Sequence, residues 1–180
     1  MKIRQAGFTL IELLIVMSLI SVLAAMAVPG FRSLLVNRTV QAAADALITD
    51  MRYARSEAVK RSARVSVCQS ANGTSCATGS NLWVGGWIVF VDADGDGAVD
   101  AGDEIVRVQQ ALTSMASIAS TNPSGDRRFF TYQPTGWAKS SSQTFIFTPS
   151  GDIPSGSVRV VCISNQGRPG LKAAGATSCT

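Results

Sequence analysis

The chain begins with an apolar segment that constrains how the rest of it can fold. From Phe8 to Val28 there are 21 residues with a single formal charge, the carboxylate of Glu12. As a helix rising ~1.5 Å per residue, the segment would be about 30 Å long, which is the thickness of a bilayer core. The sequence therefore predicts a membrane-spanning helix. A carboxylate inside such a helix costs roughly 2.5 to 3.5 kcal/mol on insertion scales, so we expect Glu12 to have a partner.

The residues just before this segment are typical of a cleaved leader. Lys2 and Arg4 precede Gly7, and from position 7 the sequence reads Gly-Phe-Thr-Leu-Ile-Glu. A secretory signal peptide has its small-residue cleavage site after the apolar stretch, whereas Gly7 stands before it. An ordinary signal anchor with an isolated glutamate is the alternative interpretation. With this signature the chain resembles a type IV prepilin.

The prepilin resemblance implies a processing step and an assembly chemistry at the N-terminus. A prepilin peptidase would cut after Gly7, remove the leader of residues 1–7 and methylate the new terminal amine, that of Phe8. Glu12 would attract the terminal amine of a neighbouring subunit during assembly. A cationic amine and a carboxylate that meet in hydrocarbon relieve each other's desolvation penalty, which is the physical basis of that role.

The helix is predicted to continue beyond the apolar segment. Pro29 and Gly30 would normally end a helix, but buried-type residues then recur at helical spacing at Val40, Ala43, Ala44, Leu47, Met51, Ala54 and Ala58. This spacing indicates an amphipathic helix with one buried face, so Pro29 is interpreted as a kink. A helix from Phe8 to Arg61 would be ~80 Å long. Its second half also carries basic residues, interpreted as a solvated face: Arg52, Arg55, Lys60, Arg61 and Arg64.

From Arg64 onward the pattern changes to short β-rich runs separated by Ser, Gly and Asn. Six strands are predicted: Arg64 to Gln69, Trp83 to Val91, Ile105 to Leu112, Arg128 to Gln133, Thr144 to Thr148 and Val158 to Ile163. The expected fold class is α+β, with a long N-terminal helix packed on a C-terminal antiparallel β-sheet domain. We expect residues 8–28 to form the membrane-spanning or assembly half of the helix, 29–63 its amphipathic half, and 64–180 the β-rich domain.

The four cysteines all follow the membrane segment, and an even number of cysteines in an exported domain favours disulfides. Three connectivities are possible. We prefer Cys68 with Cys76 and Cys162 with Cys179, because each pair closes a short local loop. Buried free thiols are the alternative.

The composition argues against an enzyme. The chain contains no histidine, which removes Ser-His-Asp and Cys-His catalytic arrangements. No motif for a Ser-Lys or carboxylate mechanism is present, so no catalytic residue and no cofactor are predicted.

Two further segments narrow the resemblance to one family. The runs Tyr53–Arg61 and Gly86–Asp92 are similar to the GspH/FimT family, which includes minor pilins of type IV pili and the minor pseudopilin H of type II secretion. The resemblance implies a structural subunit of a pilus initiation or tip complex, with other major or minor pilins or pseudopilins and the prepilin peptidase as partners. It also implies a single-pass inner-membrane protein with a periplasmic C-terminal domain, later incorporated into a pilus or pseudopilus. A secretion pseudopilin and a DNA-uptake pilin stay open as alternatives.

The DNA-uptake alternative depends on the C-terminal loop Gln166–Lys172. It resembles the Gly-Arg-x-Arg motif with which FimT-like pilins grip DNA: Arg168 matches the first arginine, Gly170 stands in place of the second, and Lys172 follows two residues later. Arg168, Lys172 and Arg159 are the candidate contacts to the phosphates of double-stranded DNA, whose binding would be sequence-independent and salt-dependent. A disulfide-tied tail with ordinary solvated charges is the alternative.

The acidic loop Asp92–Asp103 is a candidate calcium site. Its spacing follows that of an EF-hand loop, with acids at positions 1, 3, 5 and 9 and glycine at position 6. Two features depart from that motif: position 12 is Asp instead of Glu, and the flanking segment is strand-like. A solvated Asp/Gly turn without metal is the preferred interpretation. The candidate ligands are Asp92, Asp94, Asp96, Asp100 and Asp103.

Overall fold

The computed structural model describes residues 8–79, 83–122, 126–139, 142–151 and 156–179, and within these it leaves the side chains of 27–29 undescribed. The leader of residues 1–7, including the predicted cleavage site at Gly7, lies outside the described residues. The chain divides into two compact units between Leu35 and Val36.

The N-terminal helix, α1, runs from Leu10 to Arg61 and contains 52 residues. Thr9 caps it, because the Thr9 Oγ1 accepts a hydrogen bond from the backbone N–H of Glu12 at 3.3 Å. Thr-x-x-Glu before an apolar run is the capping-box signature, and it explains why the helix begins two residues later than expected. The helix continues through Pro29, as the periodicity predicts.

The first unit presents its apolar side chains to the outside. Leu10, Ile11 and Leu23 are each more than 60 % exposed, and Phe8 is 86 % exposed. No single helix in the described part of the chain is long and apolar enough to cross a membrane. The bent pair Leu10–Met26 and Gly30–Arg61 meets that criterion together, by length and composition.

In the second unit, one face of α1 is buried against two β-sheets. The predicted stripe is confirmed, since each of its members is at most 4 % exposed: Val40, Ala43, Ala44, Leu47, Met51, Ala54 and Ala58. Four of the seven are alanines, whose short side chains let the helix axis approach the sheets closely.

The first sheet contains four antiparallel strands in the order β3-β2-β1-β5. Their bounds are β1 Val65–Gln69, β2 Trp87–Val91, β3 Ile105–Gln109 and β5 Phe129–Tyr132. Strand β1 is central and pairs Val67 with Val89 on one side and with Phe130 on the other. The connection between β2 and β3 is the acidic loop.

The second sheet is also antiparallel and has the order β4-β6-β7-β8. Its strands are β4 Met115–Thr121, β6 Gln143–Pro149, β7 Arg159–Ile163 and β8 Pro169–Leu171. Strand β6 alternates strictly between buried and half-buried side chains, as expected for a strand with one face in the core. The predicted sheet is thus divided into two, and both sheets face α1.

Two of the predicted strands differ from the structure by more than one residue at an end. The run expected to begin a strand at Trp83 forms a 3₁₀ turn at Trp83–Gly85, and the strand begins only at Trp87. Gly86 separates the two with a φ of +104°, and a Cβ there would lie 2.2 Å from the Gln109 carbonyl oxygen. Strand β3 ends at Gln109, three residues before its predicted end at Leu112, because Gln109 pairs with Trp87, where its partner strand begins.

Strands β4 and β8 were not predicted at all. Strand β4 is rich in Ala and Ser, and its pairing with β6 shifts register between Met115 and Ser117, so its alternation is broken. Strand β8 contains a proline and a glycine, which is tolerated because it is a three-residue edge strand.

A single core joins α1 to both sheets. Trp83, in the 3₁₀ turn before β2, and Phe145, in β6 of the second sheet, meet edge to face with ring centroids 4.8 Å apart. A second, smaller cluster lies apart from this core and contains Cys68, Ile88 and Phe90, with Phe129 packed against it. The acidic loop and the Cys68–Cys76 loop lie beside that second cluster.

One charged residue of α1 is buried in the helix–sheet interface. The side chain of Asp50 is 3 % exposed, and it accepts hydrogen bonds from Trp87 Nε1 at 2.8 Å and from Arg107 Nε at 2.7 Å. The Arg107 guanidinium also lies over the Tyr53 ring, 5.4 Å from its centroid. Burial raises the pKa of Asp50, and the bonds from Trp87 and Arg107 oppose that shift. Asp50 therefore links the helix to β2 and β3.

Replacing Asp50 should destabilise the fold. In Asp50→Ala, the buried indole N–H of Trp87 loses its acceptor, so we expect the free energy of unfolding to fall by about 1–3 kcal/mol. Asp45→Ala is the matched control, because Asp45 is exposed on the same helix and its carboxylate accepts a hydrogen bond from the side chain of Gln41 four residues earlier; it should change stability by no more than about 0.5 kcal/mol. Urea unfolding followed by tryptophan fluorescence measures both, and equal effects would contradict the role of Asp50.

Candidate functional site

The start of α1 places two of the predicted residues side by side. Phe8 and Glu12 line a small surface pocket of about 210 Å³ together with Leu13 and Val16. The Glu12 side chain is exposed, and no ion pair in the described part of the chain includes it. Its backbone N–H is held by Thr9, so the carboxylate projects from a fixed first turn of the helix. The geometry leaves this carboxylate available to a cation from outside the chain.

The acidic loop is organised around Asp92, which is fully buried. Its Oδ1 accepts a bond from the Gly95 N–H at 2.6 Å, and its Oδ2 accepts bonds from the Ser66 hydroxyl at 2.5 Å and the Gly97 N–H at 3.1 Å. Burial raises the pKa of Asp92, while these three donors lower it. Asp92 thus serves as an internal acceptor for the loop backbone, as Asp does in Asx turns.

Three of the five candidate metal ligands come together. One carboxylate oxygen each from Asp92, Asp94 and Asp96 lies within 4.8 Å of the others. Asp103 has a different local task, because its Oδ2 accepts the N–H of Asp100 at 3.0 Å. The three carboxylates have the oxygen chemistry that suits a hard cation. However, both oxygens of Asp92 are already engaged with protein donors, which favours the metal-free turn.

Two cationic side chains donate hydrogen bonds to the backbone of the acidic loop. Lys139 donates to the carbonyl of Gly95, and Arg64 donates to the carbonyls of Ala93 at 3.1 Å and Asp94 at 3.3 Å. The exposed carboxylates are less well compensated. Repulsion from neighbouring acids, chiefly Asp96, raises the pKa of Asp100.

Two acids of this loop should therefore respond oppositely to removal. Asp92→Ala leaves three donors without their acceptor, and we expect it to lower the free energy of unfolding by about 1–3 kcal/mol. Asp100→Ala removes a repelled charge and should leave stability unchanged or slightly raised, within about 0.5 kcal/mol. Thermal unfolding measures both. The metal-free turn also predicts no change in melting temperature with millimolar calcium, and a rise that Asp94→Ala abolishes would contradict it.

Both disulfides preferred from the sequence are present in the structure. Cys68–Cys76 joins β1 to the loop that follows it, with the Cα atoms 5.6 Å apart. Cys162–Cys179 joins β7 to the C-terminal segment, with the Cα atoms 5.7 Å apart. The second bond closes a loop that contains β8 and the turn carrying Arg168, so this turn is fixed at both ends.

A basic groove lies where that turn meets α1. It has a volume of about 630 Å³ and is lined by Arg52, Arg55, Ser56, Val59, Lys60, Arg168 and Pro169. We call these residues the basic groove. Of its cations, Lys60 lies 3.5 Å from Glu57. Among the described residues, no ion pair involves the guanidinium groups of Arg52, Arg55 or Arg168.

The structure separates the three candidate DNA contacts. Arg159 is half-buried near the other end of the amphipathic helix, where its guanidinium bonds Gln41 at 3.3 Å and Asn37 at 3.4 Å. Gln41 and Arg55 are 14 residues apart, or about 20 Å along a helix. Lys172 follows the end of β8 and is not among the residues that line the groove. Arg168 alone joins the groove.

The groove residues Arg52 and Arg55 were not predicted as a site. The sequence does show the basic face of the helix, but Arg61 and Arg64 belong to other contacts: Arg61 bonds Glu57 and Glu104, each at 2.6 Å, and Arg64 holds the acidic loop. The signal that could have identified the groove is that Arg52 and Arg55, one helical turn apart, occupy one side of the helix. The partner turn at Arg168 is more than 100 residues later in the chain.

Comparisons with known proteins place this architecture in a family. The family described as Type II transport protein GspH matches residues 43–167, and the prokaryotic N-terminal methylation motif matches residues 2–28. The structure is similar to that of the type IV minor pilin FimU from Pseudomonas aeruginosa, with a TM-score of 0.57 and 24 % identity over 78 % of this chain and 95 % of that one. It is also similar to the minor pseudopilin EpsH from Vibrio cholerae, with a TM-score of 0.51 and 12 % identity over 74 % of this chain and 96 % of that one.

These findings confirm the expected fold and the GspH/FimT resemblance. The family consists of structural pilins and pseudopilins rather than enzymes, and such proteins typically have no cofactor. The methylation motif and the N-terminal helix indicate a membrane-anchored pilin with a soluble C-terminal domain. Since the family match extends over more than half of the chain, this protein belongs to the GspH family of pilin-like proteins.

Proposed function

We propose that this protein is a minor type IV pilin, a structural subunit of the complex that initiates a pilus or forms its tip. The observation that carries the proposal is the exposed carboxylate of Glu12 beside Phe8, at the start of a mainly apolar helical segment that has no other charged side chain up to Val28. Such a helix can pack against the equivalent helices of other pilins. Its single charge then selects a partner that brings a cation.

The mechanism begins with processing of the N-terminus. A prepilin peptidase cuts after Gly7 and methylates the amine of Phe8. The Glu12 carboxylate of one subunit then attracts the terminal amine of another, because an unpaired charge in hydrocarbon is costly and a paired one is less so. Before assembly the protein spans the inner membrane once through residues 8–28, with the amphipathic half and the β-rich domain in the periplasm. In that compartment both disulfides can persist.

Replacement of Glu12 tests this mechanism. In Glu12→Val the subunit should still insert, fold and be cleaved, but its amount in sheared surface filaments should fall at least about tenfold, because pairing with the amine is lost. Glu12→Asp is the matched control, since it keeps the charge, and it should retain a substantial part of the incorporation. Immunoblots of the filament and membrane fractions measure the result. Normal incorporation of Glu12→Val would contradict the assembly role.

A type II secretion pseudopilin is the second candidate function. The match to the family described as Type II transport protein GspH favours it, and the physical work would be the same: a short filament of helices packed through their apolar halves. The two functions differ in what a deletion strain loses. Loss of surface pili supports the pilin, whereas loss of protein secretion with intact pili supports the pseudopilin.

A DNA-binding minor pilin for uptake in natural transformation is the remaining candidate. Its support is the exposed position of Arg168 in the basic groove. Phosphate contacts by such cations would be independent of sequence and would weaken steeply with salt.

The DNA candidate predicts a retardation of double-stranded DNA by the protein at low salt. Arg168→Ala should weaken binding to all sequences about equally and should reduce the salt slope by about 1. Lys172→Ala should have a similar effect if Lys172 contributes a phosphate contact. The exposed Arg38 lies away from the groove on α1, and Arg38→Ala is the matched control. Absence of any retardation at low salt would exclude this candidate.

A further inference from the structure

The basic groove is a cationic site whose charges are not balanced by its own lining. Three arginines and one lysine line it, and its lining contains no acidic residue. Among the described residues, Lys60 is the one cation of the groove that forms an ion pair; its partner Glu57 is nearly buried and is bonded more closely by Arg61. Guanidinium groups bind carboxylates through paired, parallel hydrogen bonds. The groove therefore suits a ligand with several carboxylates.

The walls of the groove are set by close packing of three segments. The turn after β5 approaches α1 so closely that a Cβ on Gly136 would lie 3.1 Å from Val59 and 3.2 Å from the Arg55 Nε. The turn before β8 approaches in the same way, since a Cβ on Gly167 would lie 2.7 Å from the Gly136 carbonyl oxygen. The backbone around the groove is thus preformed, so little backbone entropy is lost when a ligand enters it.

The same chain presents a segment with the complementary charge. The acidic loop exposes Asp94, Asp96 and Asp100, while its backbone is held by Asp92, Lys139 and Arg64. Mutual repulsion already raises the pKa of Asp100, so a cationic partner would relieve an existing strain among these charges. The loop is therefore an ordered anionic surface without enough positive charge around its exposed side.

Within one copy these two surfaces do not pair. The loop connects β2 to β3 in one sheet, whereas the groove is formed by α1 and the start of β8 in the other. Among the described residues, no ion pair joins a loop carboxylate to a groove cation. Two different, complementary patches on one chain produce head-to-tail contacts between copies, and such contacts build open filaments wherever the rotation between copies does not close into a ring.

We propose that the basic groove of one copy of this protein receives the acidic loop of a second copy, with Arg52, Arg55 and Arg168 facing Asp94, Asp96 and Asp100. This inference rests on the proposed function as a filament subunit, and it names the surface through which the globular domains meet. The contact adds to the helix packing that involves Glu12, and it involves different residues.

A charge-exchange experiment on the full-length protein in detergent micelles tests the contact. The groove variant carries Arg52→Glu and Arg55→Glu, and the loop variant carries Asp94→Arg and Asp100→Arg. The first variant cancels the positive charge of the groove and the second cancels the negative charge of the loop, so each variant alone loses the charge complementarity. We expect the self-association of each to weaken at least about tenfold relative to the native chain. An equimolar mixture still pairs the unchanged groove of the loop variant with the unchanged loop of the groove variant, so the two variants should associate with each other. Energy transfer between labelled copies and sedimentation measure association at low and high salt.

The control reverses the charge of two exposed arginines outside the groove, as Arg38→Glu with Arg127→Glu. Its change in net charge equals that of the groove variant. This control should associate like the native protein. A mixture that stays as weak as its components, or a control that fails equally, would overturn the contact. Unchanged self-association of the groove variant together with loss of DNA retardation would assign the groove to phosphate instead. None of these results bears on the Glu12→Val experiment. The proposed contact and the proposed assembly role of Glu12 can therefore be refuted independently.

Discussion

The burial of one face of α1 against two sheets is the constraint on which the second unit depends. The stripe from Val40 to Ala58 is nearly inaccessible to solvent, and its alanines allow both sheets to approach the same helix. The inner faces of both sheets belong to one core, and the stripe on α1 is part of that core. The polar link from Asp50 to Trp87 and Arg107 then fixes how the helix lies on the first sheet. A buried carboxylate is costly unless its partners are in place, so this link favours one arrangement over similar apolar packings.

The parts of the fold that could be predicted from sequence are those encoded locally. The helical stripe needs only the 3.6-residue period, and the disulfide pairs Cys68–Cys76 and Cys162–Cys179 involve neighbours in sequence. Strands rich in aromatic and β-branched residues, such as Phe129–Tyr132, are recognisable for the same reason. Strand β4 was missed because its Ala and Ser residues have weak β propensity, and it is held by its pairing with β6.

The candidate sites show the same division. The helix start and the acidic loop are continuous in sequence, so their residues could be named in advance. The basic groove could not, because Arg55 and Arg168 meet only through the packing of the turns at Gly136 and Gly167. For the same reason the sequence analysis assigned Arg159 and Arg168 to one candidate site. In the structure, Arg159 instead bonds Asn37 and Gln41, several helical turns away from the groove.

The position of the helix cap has a consequence for maturation. Thr9 and Glu12, which form the cap, both lie on the C-terminal side of the proposed cut after Gly7. Proteolysis at that position would therefore leave the hydrogen bond between Thr9 and Glu12 in place. What changes is the charge just ahead of it: Lys2 and Arg4 are exchanged for a single amine on Phe8. Maturation would thus change the charge ahead of the helix and keep its cap. The first turn of the peptidase's substrate would then also be the first turn of the filament subunit.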